Sequence, residues 1–174
     1  VKSYSSFETN ITSVNANWSN NHGGSYYFGD NTSNILFNNP KAQSEVLSVF
    51  AWINPEHVEH GYRYIIMESG DIVWPRINWA FEICGDRICL LGDNNNRTKT
   101  PRNLTPENEW SHVGFVNNGT YTWLYVNGKV VSKAPQNISN HNASGESLGG
   151  KLKGKWNRLN FRGYMDDVLM FDRA

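Results

Sequence analysis

The sequence predicts an all-β fold, a two-sheet antiparallel β-sandwich, and three observations carry that prediction. Hydrophobic residues make up 39% of the chain and aromatics 13%, with seven Trp, eight Tyr and eight Phe, the types that pack sheet faces. Short apolar or alternating runs recur between polar turns. No apolar stripe at spacings of three and four persists long enough to mark a helix. At 174 residues one core suffices, so a single domain over residues 1–174 is expected.

The expected strands, in order, are Ser25–Gly29, Asn34–Asn38, Ser48–Asn54, Arg63–Glu68, Trp79–Cys84, Arg87–Leu91, Ser111–Val116, Thr122–Val126, Lys129–Val131 and Asn160–Phe171. Turn residues separate them: Gly29-Asp30, Asn54-Pro55, Gly70-Asp71, Gly85-Asp86, Gly92-Asp93, Asn118-Gly119 and Asn127-Gly128 tolerate positive φ or start a turn. Asn127-Gly128 is a primed turn that folds Leu124–Val126 against Lys129–Val131. The run Val49-Phe50-Ala51-Trp52-Ile53 is apolar at every position, which predicts a central strand buried between two layers or under a covering loop. Residues 1–24, 93–109 and 134–145 are polar and read as exposed loops. No repeat or linker suggests a second domain.

Composition also excludes. Lys plus Arg and Asp plus Glu both number 16, so no net field recruits nucleic acid or anionic lipid. The longest nearly apolar run, Val46 to Ile53, is far short of the roughly 18 residues that span a bilayer, and no signal peptide opens the chain. A mature or excised, soluble piece is expected.

Asparagine is the strongest compositional signal. With 24 Asn and 23 Ser plus Thr, chance gives about three N-x-S/T acceptor triplets. The chain has eight, at Asn10, Asn17, Asn31, Asn96, Asn103, Asn118, Asn137 and Asn142, none with Pro in the middle. This excess points to a glycosylated, extracellular or cell-surface protein, the alternative being that Asn, Ser and Thr simply abound in turns. Cys84 and Cys89 flank a Gly-Asp turn between two strand-like runs and are expected to pair as a disulfide in an oxidising compartment. Two thiolates without a further Cys or His nearby cannot fill a tetrahedral metal shell.

Four stretches in order resemble the laminin-G-like, pentraxin-related jelly rolls of the concanavalin A-like superfamily. They are Tyr26-Tyr27-Phe28-Gly29-Asp30, then Val49-Phe50-Ala51-Trp52-Ile53-Asn54-Pro55, then Trp110-Ser111-His112-Val113 with Leu124-Tyr125-Val126-Asn127-Gly128, and the closing Phe161 to Ala174. The resemblance covers nearly the whole chain. Two departures are visible: Asn117-Asn118-Gly119 stands where the family commonly has Asp-Gly, and Phe28-Gly29-Asp30 reverses the family's more frequent Asp-before-Gly order. His112 reads as a hydrogen-bonded strand residue, not a catalyst.

The resemblance implies a structural calcium ion between the opening and closing strands, with Asp30 and Asp166 as ligands and Glu8 as a weaker third. The alternative is that Asp30 caps a turn and Asp166 is a solvated strand residue. No catalytic pair is expected: Glu68 and Asp71 are three apart, and Asp166 and Asp167 adjacent, so each pair faces opposite sides of a strand. Ligand contacts are expected from loop aromatics and planar donors, Tyr62, Trp74 and Arg76 first, Trp156 and Arg158 next, unless Trp74 merely plugs the sandwich end. The expected activity is that of an extracellular binding or adhesion module for a carbohydrate or cell-surface protein. A structural ectodomain of a receptor or viral glycoprotein and a degenerate β-glucanase are the alternatives.

Overall fold

The computed structural model describes residues 10–20, 23–30, 32–38, 44–57, 62–69, 78–92, 95–138, 145–150 and 160–174. It contains fourteen strands: β1 (Asn10–Val14), β2 (Asn17–Ser19), β3 (Ser25–Phe28), β4 (Ile35–Asn38), β5 (Val46–Pro55), β6 (Tyr62–Ser69), β7 (Trp79–Cys84), β8 (Ile88–Leu91), β9 (Arg97–Lys99), β10 (Ser111–Asn118), β11 (Tyr121–Val126), β12 (Lys129–Pro135), β13 (Glu146–Leu148) and β14 (Gly163–Phe171). Among the described residues there is no α-helix, and no helix long and apolar enough to cross a membrane.

The strands form two seven-stranded antiparallel sheets. The first runs β1-β4-β13-β6-β7-β8-β9 and the second β12-β11-β10-β5-β14-β3-β2. Chain order and sheet order differ because β14 inserts between β5 and β3, closing the second sheet with the last strand. That placement makes the closing run the neighbour of both the central and the opening strand.

Strand alternation builds the core. On β5 the side chains of Leu47, Val49, Ala51 and Ile53 are fully buried, and on β10 Val113 and Phe115 join them. From the first sheet come Trp79, Phe81, Ile83, Ile88 and Leu90. Phe115 meets the opposite sheet edge-on, with centroids 5.5 Å from Trp79 and 5.1 Å from Phe81. Such edge-to-face pairs add about 0.5–1.5 kcal/mol beyond the area they bury. A polar tie also crosses between the sheets near one edge: Gln136 Nε2 donates to the carbonyls of Leu90 and Asn96, and its own carbonyl accepts from buried Asn117 Nδ2.

Local chemistry explains the turns. Asn127 and Gly128 have φ of 49° and 77°, the two positive values a type I′ hairpin needs. The β7–β8 hairpin turns through Gly85-Asp86-Arg87 and is clipped by a disulfide between Cys84 and Cys89, whose Cα atoms lie 6.1 Å apart.

Three expectations need correction. Residues 1–24 and 93–109, read as loops, contain β1, β2 and β9, and the third polar stretch opens with β12, which continues to Pro135. These are short or one-sided edge strands, so few of their residues need be apolar. The closing strand is shorter than expected: β14 starts at Gly163, not Asn160, and its pairing with β5 slips between Asp166 and Leu169. Finally, β5 is central in its sheet but not covered on both faces. Phe50 is only half-buried, and Trp52 is 40% exposed.

Candidate functional site

The outward face of the second sheet carries an aromatic surface whose shape follows from register. On β5 the residues alternating with the core set are Phe50 and Trp52. Register places Trp52 opposite His112 of β10 on one side and Asp166 of β14 on the other. Phe50 lies opposite Gly114, which in turn faces Tyr125 of β11. Only glycine fits there, because a Cβ at Gly114 would overlap the Phe50 ring. Phe50 therefore lies across the β10 backbone, stacked with His112 at 5.7 Å and 4° and edge-on to Tyr125 at 5.8 Å. Trp52 meets the same imidazole at 5.2 Å. One imidazole thus joins two rings into a platform.

The β14 irregularity supplies the polar side of this platform. Asp167 takes φ of 44°, a left-handed value that a non-glycine residue rarely adopts, and its N–H donates to Asp166 Oδ1 at 2.8 Å. The extra residue of a bulge re-aims neighbouring side chains, and bulges are over-represented beside functional sites. Here it sets half-buried Asp166 opposite exposed Trp52, with exposed Asp167 following it in the chain. Burial pushes the Asp166 carboxyl above its ordinary value; the Asp167 N–H opposes this and the neighbouring Asp167 charge adds to it. Further along the face, Tyr27 and Tyr164 pack at 4.9 Å, and the Tyr27 hydroxyl donates to Glu56. At the opposite end Lys133 lies over the rings of Tyr121 and Trp123, at 4.7 and 5.0 Å.

The expected site residues fall differently. Asp30 and Asp166 are not brought together: Phe28 pairs with Gly163 and Tyr26 with Met165, so the two carboxylates sit at opposite ends of β3. Five strand positions separate them, roughly 17 Å at the rise of a strand. They do not fit one shared calcium ion, and among the described residues no group of three or more acidic, His or Cys side chains could hold a metal. Asp30 instead caps its own turn. Its Oδ1 accepts from Thr32 Oγ1, the Thr32 N–H and Ser33 Oγ, bonds that hold its carboxyl below the ordinary value. Tyr62 begins β6 opposite Cys84 and so belongs to a strand, not a loop. Trp74, Arg76, Trp156, Arg158 and Glu8 lie outside the described residues, as do Asn31 and Asn142.

The six described acceptor asparagines, Asn10, Asn17, Asn96, Asn103, Asn118 and Asn137, are all exposed. None lies on β5, β11 or β14, but Asn17 on β2, opposite Tyr27, and Asn118 on β10 share the outward face of the second sheet. Asn118 ends β10, where its Oδ1 also accepts from the N–H groups of Thr120 and Tyr121.

Sequence reasoning took Trp52, with the whole Val49–Ile53 run, as part of a buried central strand and missed the platform. The available signal was Gly114 inside a strand-like run, a usual mark of close approach by another group.

Two stacked antiparallel sheets with an aromatic outer face make this a lectin-like β-sandwich. A laminin-G family model, described as the concanavalin A-like lectin/glucanases superfamily, matches residues 28–174, and the chain belongs to that family. No curated protein sequence matches it. Among solved structures, a Trypanosoma rangeli sialidase bound to 2,3-difluorosialic acid is similar at TM-score 0.67 and 13% identity, over 95% of this chain and 27% of that one. The botulinum neurotoxin serotype D binding domain is similar at TM-score 0.67 and 18% identity, over 95% and 43%. A Bacteroides ovatus protein provisionally described as carbohydrate-binding is similar at TM-score 0.58 and 17% identity, over 95% and 43%. This chain therefore spans less than half the length of each of these proteins, and at such identities the likeness is one of fold.

Proposed function

We propose that this protein is an extracellular binding module that takes a neutral carbohydrate on the outward face of its second sheet, without turning it over. The observation that carries the reading is the exposed Trp52 ring held between Asp166 and His112 in adjacent strands. Sugars present apolar C–H faces and a rim of hydroxyls. An indole supplies a flat apolar surface for the first, and carboxylates and an imidazole supply acceptors and a donor for the second. Asp166 and Asp167 accept hydroxyl protons but repel a carboxylated or sulfated sugar, so the acidic flank selects for neutral rings.

One further fact supports the setting: the disulfide suits an oxidising compartment. The described acceptor asparagines are not among the residues that build the platform, although Asn17, opposite Tyr27, and Asn118, at the end of β10, share its sheet face.

The test is a glycan array followed by calorimetry on the secreted protein and on Trp52→Ala. Hot-spot aromatics cost about 2 kcal/mol or more on truncation, which is about 30-fold or more in Kd. Wild type should bind neutral glycans over sialylated or sulfated ones, and Trp52→Ala should lose binding by that factor while remaining folded. Unchanged affinity in the variant, or hydrolysis of the bound glycan, would refute the assignment.

A further inference from the structure

The outermost described strands of the two sheets are β1 and β9 in the first, β12 and β2 in the second. Each such edge leaves a row of backbone N–H and C=O groups open to pairing with another chain. Each also coincides with an acceptor triplet. Asn10 is the first residue of β1 and Asn17 the first of β2; Asn96 immediately precedes β9, and Asn137 follows β12 by two residues. All four side chains are exposed.

Other edge devices accompany them. β2 and β9 are only three residues long, β1 carries a register slip between Ile11 and Ser13, and β12 bears exposed Lys129 and Lys133. β12, at seven residues the longest of the four, has most to shield.

We propose that N-linked glycans at Asn10, Asn17, Asn96 and Asn137 cap all four sheet edges and keep the sandwich from pairing edge to edge with a second copy. In the attachment, the Asn side-chain nitrogen bonds to the anomeric carbon of a polyprenyl-diphosphate oligosaccharide. The carbon–oxygen bond to the diphosphate breaks, the diphosphate leaves with that electron pair, and the amide nitrogen gives up one proton. A branched, hydrated sugar anchored at a strand end sweeps the space a pairing strand would need. The inference rests on the secretory setting proposed above and is independent of which ligand the aromatic face takes.

The test uses protein secreted from a eukaryotic host. Mass spectrometry of glycopeptides should find all four edge sites occupied. Light scattering should then show a monomer for the wild type, and at least a twofold rise in mean mass with concentration for Asn10→Gln, Asn17→Gln, Asn96→Gln and Asn137→Gln combined. A control removing the two described non-edge sites, Asn103→Asp with Thr120→Ala, should stay monomeric. Folded wild-type protein trimmed natively to single sugars gives the same readout without relying on the variant's folding, and should associate as the edge variant does. Empty edge sites would overturn both the cap and the secretory setting. Occupied sites with monomeric trimmed protein, or association by the control as strong as by the edge variant, would overturn the cap alone.

Discussion

Replacing Arg97 by Met leaves a carboxylate buried without its cation, and the structure sets the size of the effect. Glu82 on β7 is fully buried, its side chain 0% exposed, and Arg97 Nε donates to Glu82 Oε1 at 2.7 Å with the Arg97 side chain 15% exposed. Breaking a buried pair by removing one partner costs about 3–5 kcal/mol. For a domain of this length that corresponds to a fall in Tm of roughly 10 °C. The pH dependence has a definite sign. Burial raises the Glu82 carboxyl above its ordinary value, against the pull of the Arg97 hydrogen bond and charge and of Lys99. A raised value means that Glu82 favours the folded state below its unfolded pKa and loses that contribution as pH rises through the folded one. Without Arg97 the folded value rises further, so the deficit of Arg97→Met should be largest at neutral pH and shrink on acidification as Glu82 takes up a proton. Calorimetric melts from pH 7 down through the carboxyl range, with Glu82→Gln and the double variant completing a cycle, measure this. A deficit below about 1 kcal/mol at neutral pH, or one that does not shrink in acid, would refute the buried-pair reasoning.

Two smaller perturbations test other parts of the structure. Asp30→Asn with Asp166→Asn should leave any response of Tm to calcium unchanged, because the two residues occupy opposite ends of β3; loss of a calcium-dependent shift in the double variant would contradict the β3–β14 register. The Cys84–Cys89 disulfide closes a short loop, so Cys84→Ala with Cys89→Ala should cost about 2 kcal/mol in denaturant unfolding. Free thiols on alkylation of the denatured, secreted protein would show that the bond does not form.

What was legible in the sequence was what is local. Asn127-Gly128 specifies its own hairpin, and Cys84 and Cys89 are near each other in any fold that turns at Gly85-Asp86. The alternation of Ser111–Asn118 and Tyr121–Val126 marks a sheet face whatever lies opposite. Edge strands were less visible: Asn17–Ser19 and Arg97–Lys99 pair on one side only, and their polar residues read equally well as loop. The site was hidden for a different reason. Phe50 and Trp52 read as core because the run Val49–Ile53 within β5 is apolar at every position, and the letters do not say which of its two faces is covered. Asp30 and Asp166 were expected together because the family resemblance places them at matching ends of the opening and closing strands; β3 and β14 do pair, but their register, which no local pattern encodes, sets Asp30 beyond one end of β3 and Asp166 at the other.

The most direct test of the account is an NMR titration of the isotope-labelled protein with the neutral glycan selected on the array. The Trp52 indole, the His112 ring and the Asp166 and Asp167 amides should shift together, saturating at one Kd, while core reporters such as the Phe115 amide stay fixed. A glycan that saturates the protein with these signals unmoved and shifts elsewhere, for example at the Trp74 indole, would contradict it.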